Sequence, residues 1–316
     1  MRSLLSLATG LAALLFVAGP IVAVPAIARG DNLLITERFR PAGGRVGEYT
    51  TSGATVNATL ISGPINPFGF INPGFMAVSG SSLFVVDSFS GGTVGEYTTS
   101  GATVNASLIT GLNAPIGIAV SGSNLFVTVT SSGAIGEYTT AGATVNPLLI
   151  TGLPINFVAG IAVSGSNLFV ANDSAGTIGE YTTSGATVNA ALITGLNNPA
   201  DIAVSGSNLF VTNDGNGTIG EYTTSGATVN ASLITGLSGP GGIAVSGSNL
   251  FVANYNAGTI GEYTTSGATV NASLITGLSN PDGIVIVPVP EPTTDLLVMA
   301  GVLGLAVARR RSGVSV

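Results

Sequence analysis

The sequence predicts an all-β protein built from one repeated unit, and three observations support this. Gly-Glu-Tyr recurs six times at intervals of 41 to 48 residues. Each interval contains four short apolar or alternating segments separated by turn residues, which is the pattern of antiparallel strands. The first and last units are both incomplete. The motif begins at Gly47, Gly95, Gly136, Gly179, Gly220 and Gly261.

One complete unit occupies residues 202–237. Residues 202–204 form its first strand, which a Ser-Gly-Ser turn joins to a second strand at 209–212. A polar loop leads to the third strand, 218–224, and a Ser-Gly turn leads to the fourth, 228–235. A period of 40–45 residues with four strands per unit is typical of a β-propeller blade.

The incomplete units at the two ends predict how the ring closes. Residues 284–287 are the first strand of a unit, but no second strand follows them in the sequence. Residues 33–36 are the second strand of a unit, but no first strand precedes them. Pairing them makes a sixth blade and removes the open edge that a linear array would leave. The predicted fold is therefore a six-bladed β-propeller, and loss of either strand is expected to destabilise the whole ring.

The phrase Gly-Ile-Ala-Val-x-Gly-x-x-Leu-Phe-Val-Ala-Asn, at residues 160–172 and 242–254, resembles NHL-type and gluconolactonase-like six-bladed propellers. Several propeller families share this phrase. In lactonase-like members, the resemblance implies one divalent cation held in the channel by Glu, Asn and Asp. The chain lacks the additional Glu, Arg and His that accompany catalysis in that family.

Charge and composition exclude several functional classes. Residues 29–288 contain 13 acidic residues and four arginines, a net charge of −9, and no basic residue occurs between Arg45 and Arg309. Nucleic acid is excluded as a partner because phosphate binding needs clustered Lys or Arg. The absence of Cys excludes disulfides and thiol catalysis, and the absence of His removes the commonest general base.

The N-terminus has the features of a secretory signal peptide. Arg2 is the positive n-region, residues 4–18 are mostly apolar, and Ala26-Ile27-Ala28 fits the small-x-small cleavage rule. We therefore expect cleavage after Ala28 and export by the Sec machinery, leaving a propeller domain at 29–288. An uncleaved membrane anchor is the alternative.

The C-terminus, residues 289–316, has three parts. A motif at 289–293 contains Pro290, Glu291 and Pro292, and an apolar run follows at 296–308. As a helix this run is about 20 Å long, short for a hydrocarbon core of about 30 Å. The closing cluster, Arg309, Arg310 and Arg311, predicts a cytoplasmic C-terminus by the positive-inside rule.

These three parts resemble the PEP-CTERM sorting signal, the substrate of exosortase. The resemblance implies a Gram-negative bacterium, transient anchoring in the inner membrane, cleavage near Pro-Glu-Pro, and release to the cell surface or extracellular matrix. Residues 312–316 make the end slightly longer than the pattern. A plain tail anchor is the alternative.

Differences between the repeats suggest where a ligand binds. The turns after first and third strands hardly vary, whereas the loops after second and fourth strands differ, and residues 64–75 form an insert. Acids and amides in these variable loops are candidates for a cation or sugar site near the channel. Turn formation without a ligand is the alternative. The candidates are Asp87, Asn172, Asp173, Asp201, Asn213, Asp214, Asn254 and Asp282.

The six Glu of Gly-Glu-Tyr are expected to be structural, solvated or bonded to Thr or backbone, because one active site does not need six copies. Two functions are consistent with these observations. The first is a non-enzymatic surface or matrix protein that binds exopolysaccharide or another envelope protein. The alternative is a metal-dependent lactonase-like hydrolase, whose only cofactor would be one divalent cation such as Ca²⁺.

Overall fold

A computed structural model describes residues 30–38, 43–62, 72–88, 91–154 and 158–289. The propeller is one compact unit, Gly30–Pro290. The predicted signal peptide, most of the 64–75 insert, and the sorting tail from Pro290 onward lie outside the described residues. No helix in the described ranges is long and apolar enough to cross a bilayer.

The described chain forms six antiparallel sheets of four strands each, which confirms the predicted six-bladed propeller. Blade 1 contains β1 (Asn32–Glu37), β2 (Arg45–Thr50), β3 (Thr55–Ser62) and the last strand, β24 (Pro281–Val287). Blade 2 contains β4 (Pro73–Ser79), β5 (Ser82–Asp87), β6 (Thr93–Thr98) and β7 (Thr103–Ile109). Blade 3 contains β8 (Pro115–Ser121), β9 (Asn124–Val129), β10 (Ala134–Thr139) and β11 (Thr144–Ile150).

The remaining three blades follow the same order. Blade 4 contains β12 (Val158–Ser164), β13 (Asn167–Asn172), β14 (Thr177–Thr182) and β15 (Thr187–Thr194). Blade 5 contains β16 (Pro199–Ser205), β17 (Asn208–Asn213), β18 (Thr218–Thr223) and β19 (Thr228–Ile234). Blade 6 contains β20 (Pro240–Ser246), β21 (Asn249–Asn254), β22 (Thr259–Thr264) and β23 (Thr269–Ile275). Short 3₁₀ turns occur at Thr130–Ser132 and Asp214–Asn216.

The ring closes through β1 and β24, as the sequence predicts. The two strands are antiparallel, with Leu33 opposite Ile286 and Ile35 opposite Ile284. Fully buried Glu37 strengthens the joint, because its carboxylate accepts hydrogen bonds from Arg45 Nε at 2.6 Å and from the Ser279 backbone N–H at 2.7 Å. The closing blade is therefore held by both backbone pairing and a buried ion pair.

The first strand of each blade is innermost and contacts the first strands of its two neighbours. Each begins about three residues earlier than the 202–204 segment predicts, usually at a proline, which is tolerated at the first position of a strand. One buried apolar side chain per blade points to the axis and lines a central cavity of about 130 Å³. These side chains are Met76, Ile118, Ile161, Ile202, Ile243 and Ile284.

The Gly-Glu-Tyr motif has a structural explanation. The ring of Tyr222 folds back over Gly220, where a Cβ would lie 2.6 Å from the ring Cε2, so this position excludes any side chain. The same contact recurs in all six blades. The Glu accepts a hydrogen bond from the first residue of the second strand, as Glu221 does from Asn208 Nδ2 at 2.7 Å. The partner is therefore an Asn or Ser side chain, whereas the sequence predicts solvent, Thr or backbone.

Candidate functional site

The variable loops after second and fourth strands meet on one face, which we call the upper face. Backbone hydrogen bonds join the two sets, because Tyr255 N–H donates to Gly239 O at 2.8 Å and Asp214 N–H donates to Asn198 O at 3.0 Å. The uniform turns after first and third strands define the lower face. The variation between repeats is thus concentrated on one side of the ring.

A pocket of about 260 Å³ opens on the upper face between blades 5, 6 and 1. Its functional side chains are Arg38, Asp214, Tyr255, Asn256 and Asp282, and the backbone of residues 239–241 completes the wall. Blade 1 supplies both Arg38, which directly follows its second strand, and Asp282, which lies in its first strand. The pocket therefore depends on ring closure, since the two residues come from opposite ends of the chain.

Three side chains of this pocket, Tyr255, Asn256 and Arg38, are not among the predicted site residues. Arg38 lies in a loop that the sequence analysis does not recognise. It follows β1 directly and occupies the loop position of Asp173, Asp214 and Tyr255 in other blades. The prediction ends this strand at Thr36, so the sixth upper loop is not recognised. The information is present in the sequence, because the predicted pairing of 33–36 with 284–287 already makes the next residues an upper-face loop.

Arg38 and Asp282 form a mostly buried ion pair through Nη2 and Oδ2. Arg38 Nε also donates to Pro73 O at 3.2 Å, which fixes the plane of the guanidinium. Burial raises the pKa of Asp282, and the charge of Arg38 opposes that rise. Removing Arg38 would therefore leave a buried carboxyl without its compensating charge.

The two other titratable side chains of the pocket are also affected by burial. Burial raises the pKa of Asp214, and the charges of Asp173 and Asp282 add to the rise. Burial likewise raises the pKa of the Tyr255 hydroxyl, which Arg38 opposes and Asp282 reinforces. The pocket thus combines acceptors, one cation and an aromatic ring in a small volume.

The structure separates the eight predicted site residues into two groups. Asp214 and Asp282 line the pocket, Asp173 lies near Asp214 and accepts a hydrogen bond from Asn198, and Asp201 lies at the central cavity. The other four end second strands, where their side chains are buried at the edge of a blade. These are Asp87, Asn172, Asn213 and Asn254.

The four buried residues are engaged by groups close to their own strands. The amides of Asn172, Asn213 and Asn254 each donate to the Thr that begins the next strand, at 3.2 to 3.4 Å. Asp87 accepts the backbone N–H of Asn72 at 3.2 Å. The eight residues therefore do not form one ring of ligands around the channel.

The acids of the described residues do not assemble a cation site of the lactonase type. Within those ranges, no three His, Cys, Asp or Glu side chains are placed to hold a metal ion. Asp282, the pocket acid nearest the axis, is already paired with the Arg38 guanidinium. We therefore derive no chemistry through a metal at this face.

Asp201 is a buried acid at the centre of the ring. Its Oδ2 accepts the Ile243 backbone N–H at 3.1 Å, and its own N–H donates to Thr212 Oγ1 at 2.9 Å. The carboxylate occupies space beside Gly160, where a Cβ would meet Asp201 Oδ1 at 2.3 Å. Burial raises the pKa of Asp201 to about 7, the backbone hydrogen bonds oppose this, and the charge of Asp282 adds to it.

Asp201→Asn is expected to remove a pH-dependent loss of stability. The carboxyl titrates at 3.8 in the unfolded chain and about 7 in the folded one, so the folded state binds more protons between these values. The free energy of unfolding of the wild type should therefore fall, relative to the variant, as the pH rises from 4 to 7. The full difference is on the order of 4 kcal/mol at 1.36 kcal/mol per pKa unit.

Urea denaturation of both proteins at pH 4, 5.5 and 7.5 measures this difference. Asp173→Asn is the control, because it removes the same charge from a carboxylate at the surface of an upper loop. A difference between wild type and Asp201→Asn that stays constant over this range would contradict the assignment.

The comparisons with known proteins agree with the propeller fold and with the sorting signal that the sequence predicts. The chain is a six-bladed β-propeller, and residues 288–312 carry the PEP-CTERM protein-sorting motif. No match was found among curated proteins.

Among solved structures, a chain of the nidogen/laminin complex is similar at 16% identity and a TM-score of 0.68, over 82% of this chain and 98% of that one. Virginiamycin B lyase from Staphylococcus aureus is similar at 17% identity and a TM-score of 0.55, over 77% and 84%. A protein of unknown function from Bacteroides caccae is similar at 12% identity and a TM-score of 0.56, over 82% and 99%. At these identities the likeness shows the fold alone.

Proposed function

We propose that this protein is a non-enzymatic binding protein of a bacterial cell surface or extracellular matrix, which holds polysaccharide in its upper-face pocket. The PEP-CTERM motif implies export, a membrane-anchored intermediate and processing by exosortase. The proposal adds Sec-dependent secretion, anchoring in a Gram-negative inner membrane, and release after cleavage near Pro290–Pro292. The matched segment begins one residue after β24 ends, so processing there leaves all six blades intact.

The observation that carries the binding function is the pocket formed by Arg38, Asp214, Tyr255, Asn256 and Asp282. Its volume of about 260 Å³ suits one hexose unit of a longer chain. Arg, Asp and Asn side chains donate to and accept from sugar hydroxyls, and the Tyr255 ring offers an apolar surface for a pyranose face. The pocket opens on the upper face, so the rest of a polymer can extend from it into solvent.

The hydrolase alternative lacks a set of acids that could hold its cation in the described residues. The acids it would use as metal ligands are engaged in other ways, since Asp282 pairs with Arg38 and Asp87 is buried beside Tyr97. An envelope protein is the other partner that the sequence analysis retains, and the experiment below distinguishes it from polysaccharide.

Tyr255→Ala is expected to weaken binding of the exported protein to its host's exopolysaccharide by about fivefold to thirtyfold, the usual effect of removing an aromatic anchor. Affinity electrophoresis in gels containing the polysaccharide measures this change. Ser174→Ala is the matched control, because Ser174 is the exposed blade-4 counterpart of Asn256 and lies outside the pocket. Equal retardation of the wild type, Tyr255→Ala and Ser174→Ala would contradict the pocket assignment. If the gels retard none of them and the wild type instead captures an envelope protein, the partner is that protein and not polysaccharide.

A further inference from the structure

The turns of the lower face are almost identical between blades, except that no turn joins β24 to β1 in blade 1. The two substitutions in these turns and the strands next to them lie in adjacent blades. Five blades begin the second strand with Asn, whereas blade 2 has Ser82. Five blades have Ser in the hairpin after the third strand, whereas blade 3 has Ala141. Both changes replace a polar side chain by a smaller one.

The two departures line the same cavity. A groove of about 320 Å³ between blades 2 and 3 is bounded by Ser79, Ser82, Phe84, Glu96, Thr140 and Ala141. Ser82 keeps the hydrogen bond to Glu96 Oε1, at 2.9 Å, but lacks the bulk of the Asn amide that fills this position elsewhere. Ala141 lacks the hydroxyl that bonds to the hairpin Thr in the other five blades.

We propose that this groove binds an amino sugar with a free, protonated amine. The Glu96 carboxylate is the acceptor for the ammonium group, and charge-assisted hydrogen bonds of this kind are the strong ones. The hydroxyls of Ser79, Ser82 and Thr140 are placed around the groove for the sugar hydroxyls, while Phe84 and Ala141 supply its apolar surface.

The lining of the groove favours an amino sugar over a simple alkylamine such as a lysine side chain. An alkyl chain has no groups that could bond to the three hydroxyl-bearing residues of the groove, whereas a sugar has several. A volume of about 320 Å³ also suits a pyranose ring. The net charge of −9 on residues 29–288 also attracts a cationic ligand. Arg38 and Arg45 are paired with Asp282 and Glu37 and do not line the groove.

This site is separate from the upper-face pocket, so its test does not depend on the proposed function. The exported protein is titrated calorimetrically with glucosamine, with N-acetylglucosamine and glucose as neutral sugars, and with Nα-acetyl-lysine amide as an alkylamine. We expect glucosamine to bind about tenfold more tightly than either neutral sugar, because one hydrogen bond to a charged group is lost with the ammonium.

Two variants locate the binding. Ser82→Asn restores the residue of the other five blades, so it should keep the thermal midpoint of the wild type while filling the groove and weakening glucosamine binding about tenfold or more. Glu96→Gln keeps the shape of the groove and should abolish the preference for glucosamine over glucose. Asn124→Ser makes the reverse change in blade 3, outside the groove, and should leave binding unchanged.

The inference is overturned if glucosamine does not bind, if it binds no better than glucose, or if Ser82→Asn leaves its affinity unchanged. Tighter binding of the lysine derivative than of glucosamine would overturn the assignment to an amino sugar. Loss of glucosamine binding in Tyr255→Ala but not in Ser82→Asn would place the ligand on the upper face and overturn the lower-face site.

Discussion

A chain that ends after Asn280, and therefore lacks β24, is expected not to form a stable propeller. Deletion removes the partner of β1, whose Leu33, Leu34 and Ile35 are fully buried in the closed ring. It also removes Ile284 from the channel wall. Burial of one large aliphatic side chain is worth about 1.5–3 kcal/mol, so losing a whole strand is comparable to a total stability of about 5–15 kcal/mol.

The matched control is a chain that ends after Val289, because it lacks the sorting tail but retains β24. Both chains begin at Arg29, and circular dichroism follows their thermal unfolding. We expect a cooperative transition for the longer chain and none for the shorter one. A cooperative transition at the same midpoint in both would contradict closure by the two ends.

Gly220→Ala is expected to destabilise the protein by about 2–4 kcal/mol, since it overpacks a fully formed core. The new Cβ would lie 2.6 Å from both Cε2 and Oη of Tyr222, which is 3% exposed and has no space to move into. The backbone of Gly220 is not left-handed, so the cost is steric and is not a matter of conformational strain. For a domain of this size the midpoint should fall by about 5–15 °C.

A double-mutant cycle with Tyr222→Ala tests the cause of this loss. Tyr222→Ala is itself expected to cost about 3–5 kcal/mol. In its presence, Gly220→Ala should have almost no further effect, because the ring that it would contact is gone. Additive losses from the two substitutions, measured by urea denaturation, would show that the glycine is needed for another reason.

The fold follows from the sequence because the information that specifies it is repeated. Four strands per unit and a fixed period predict the blades, and the unmatched strands at 33–36 and 284–287 predict the closure that the structure shows. The predicted strand ends differ by up to about three residues, because pairing with the second strand extends each inner strand, in five of the six blades to a proline.

The sites follow from the sequence less completely. The variable face is predicted, but Asp87 and Asn172 lie within its pattern and are nevertheless buried in their blades. Each is the last residue of a second strand and is paired with a neighbouring strand on both sides. Arg38 belongs to the pocket only through pairing between the two ends of the chain. Ser82 and Ala141 are 59 positions apart and look like unrelated changes until adjacent blades bring them to one groove.

The central claim is that ligands bind where the repeats differ from one another. The most direct test is a side-by-side measurement of polysaccharide and glucosamine binding by wild type, Tyr255→Ala and Ser82→Asn. The account predicts that Tyr255→Ala loses only the polysaccharide and Ser82→Asn loses only glucosamine. Unchanged binding of both ligands by both variants would contradict the claim and leave the differences between repeats as neutral variation in turns.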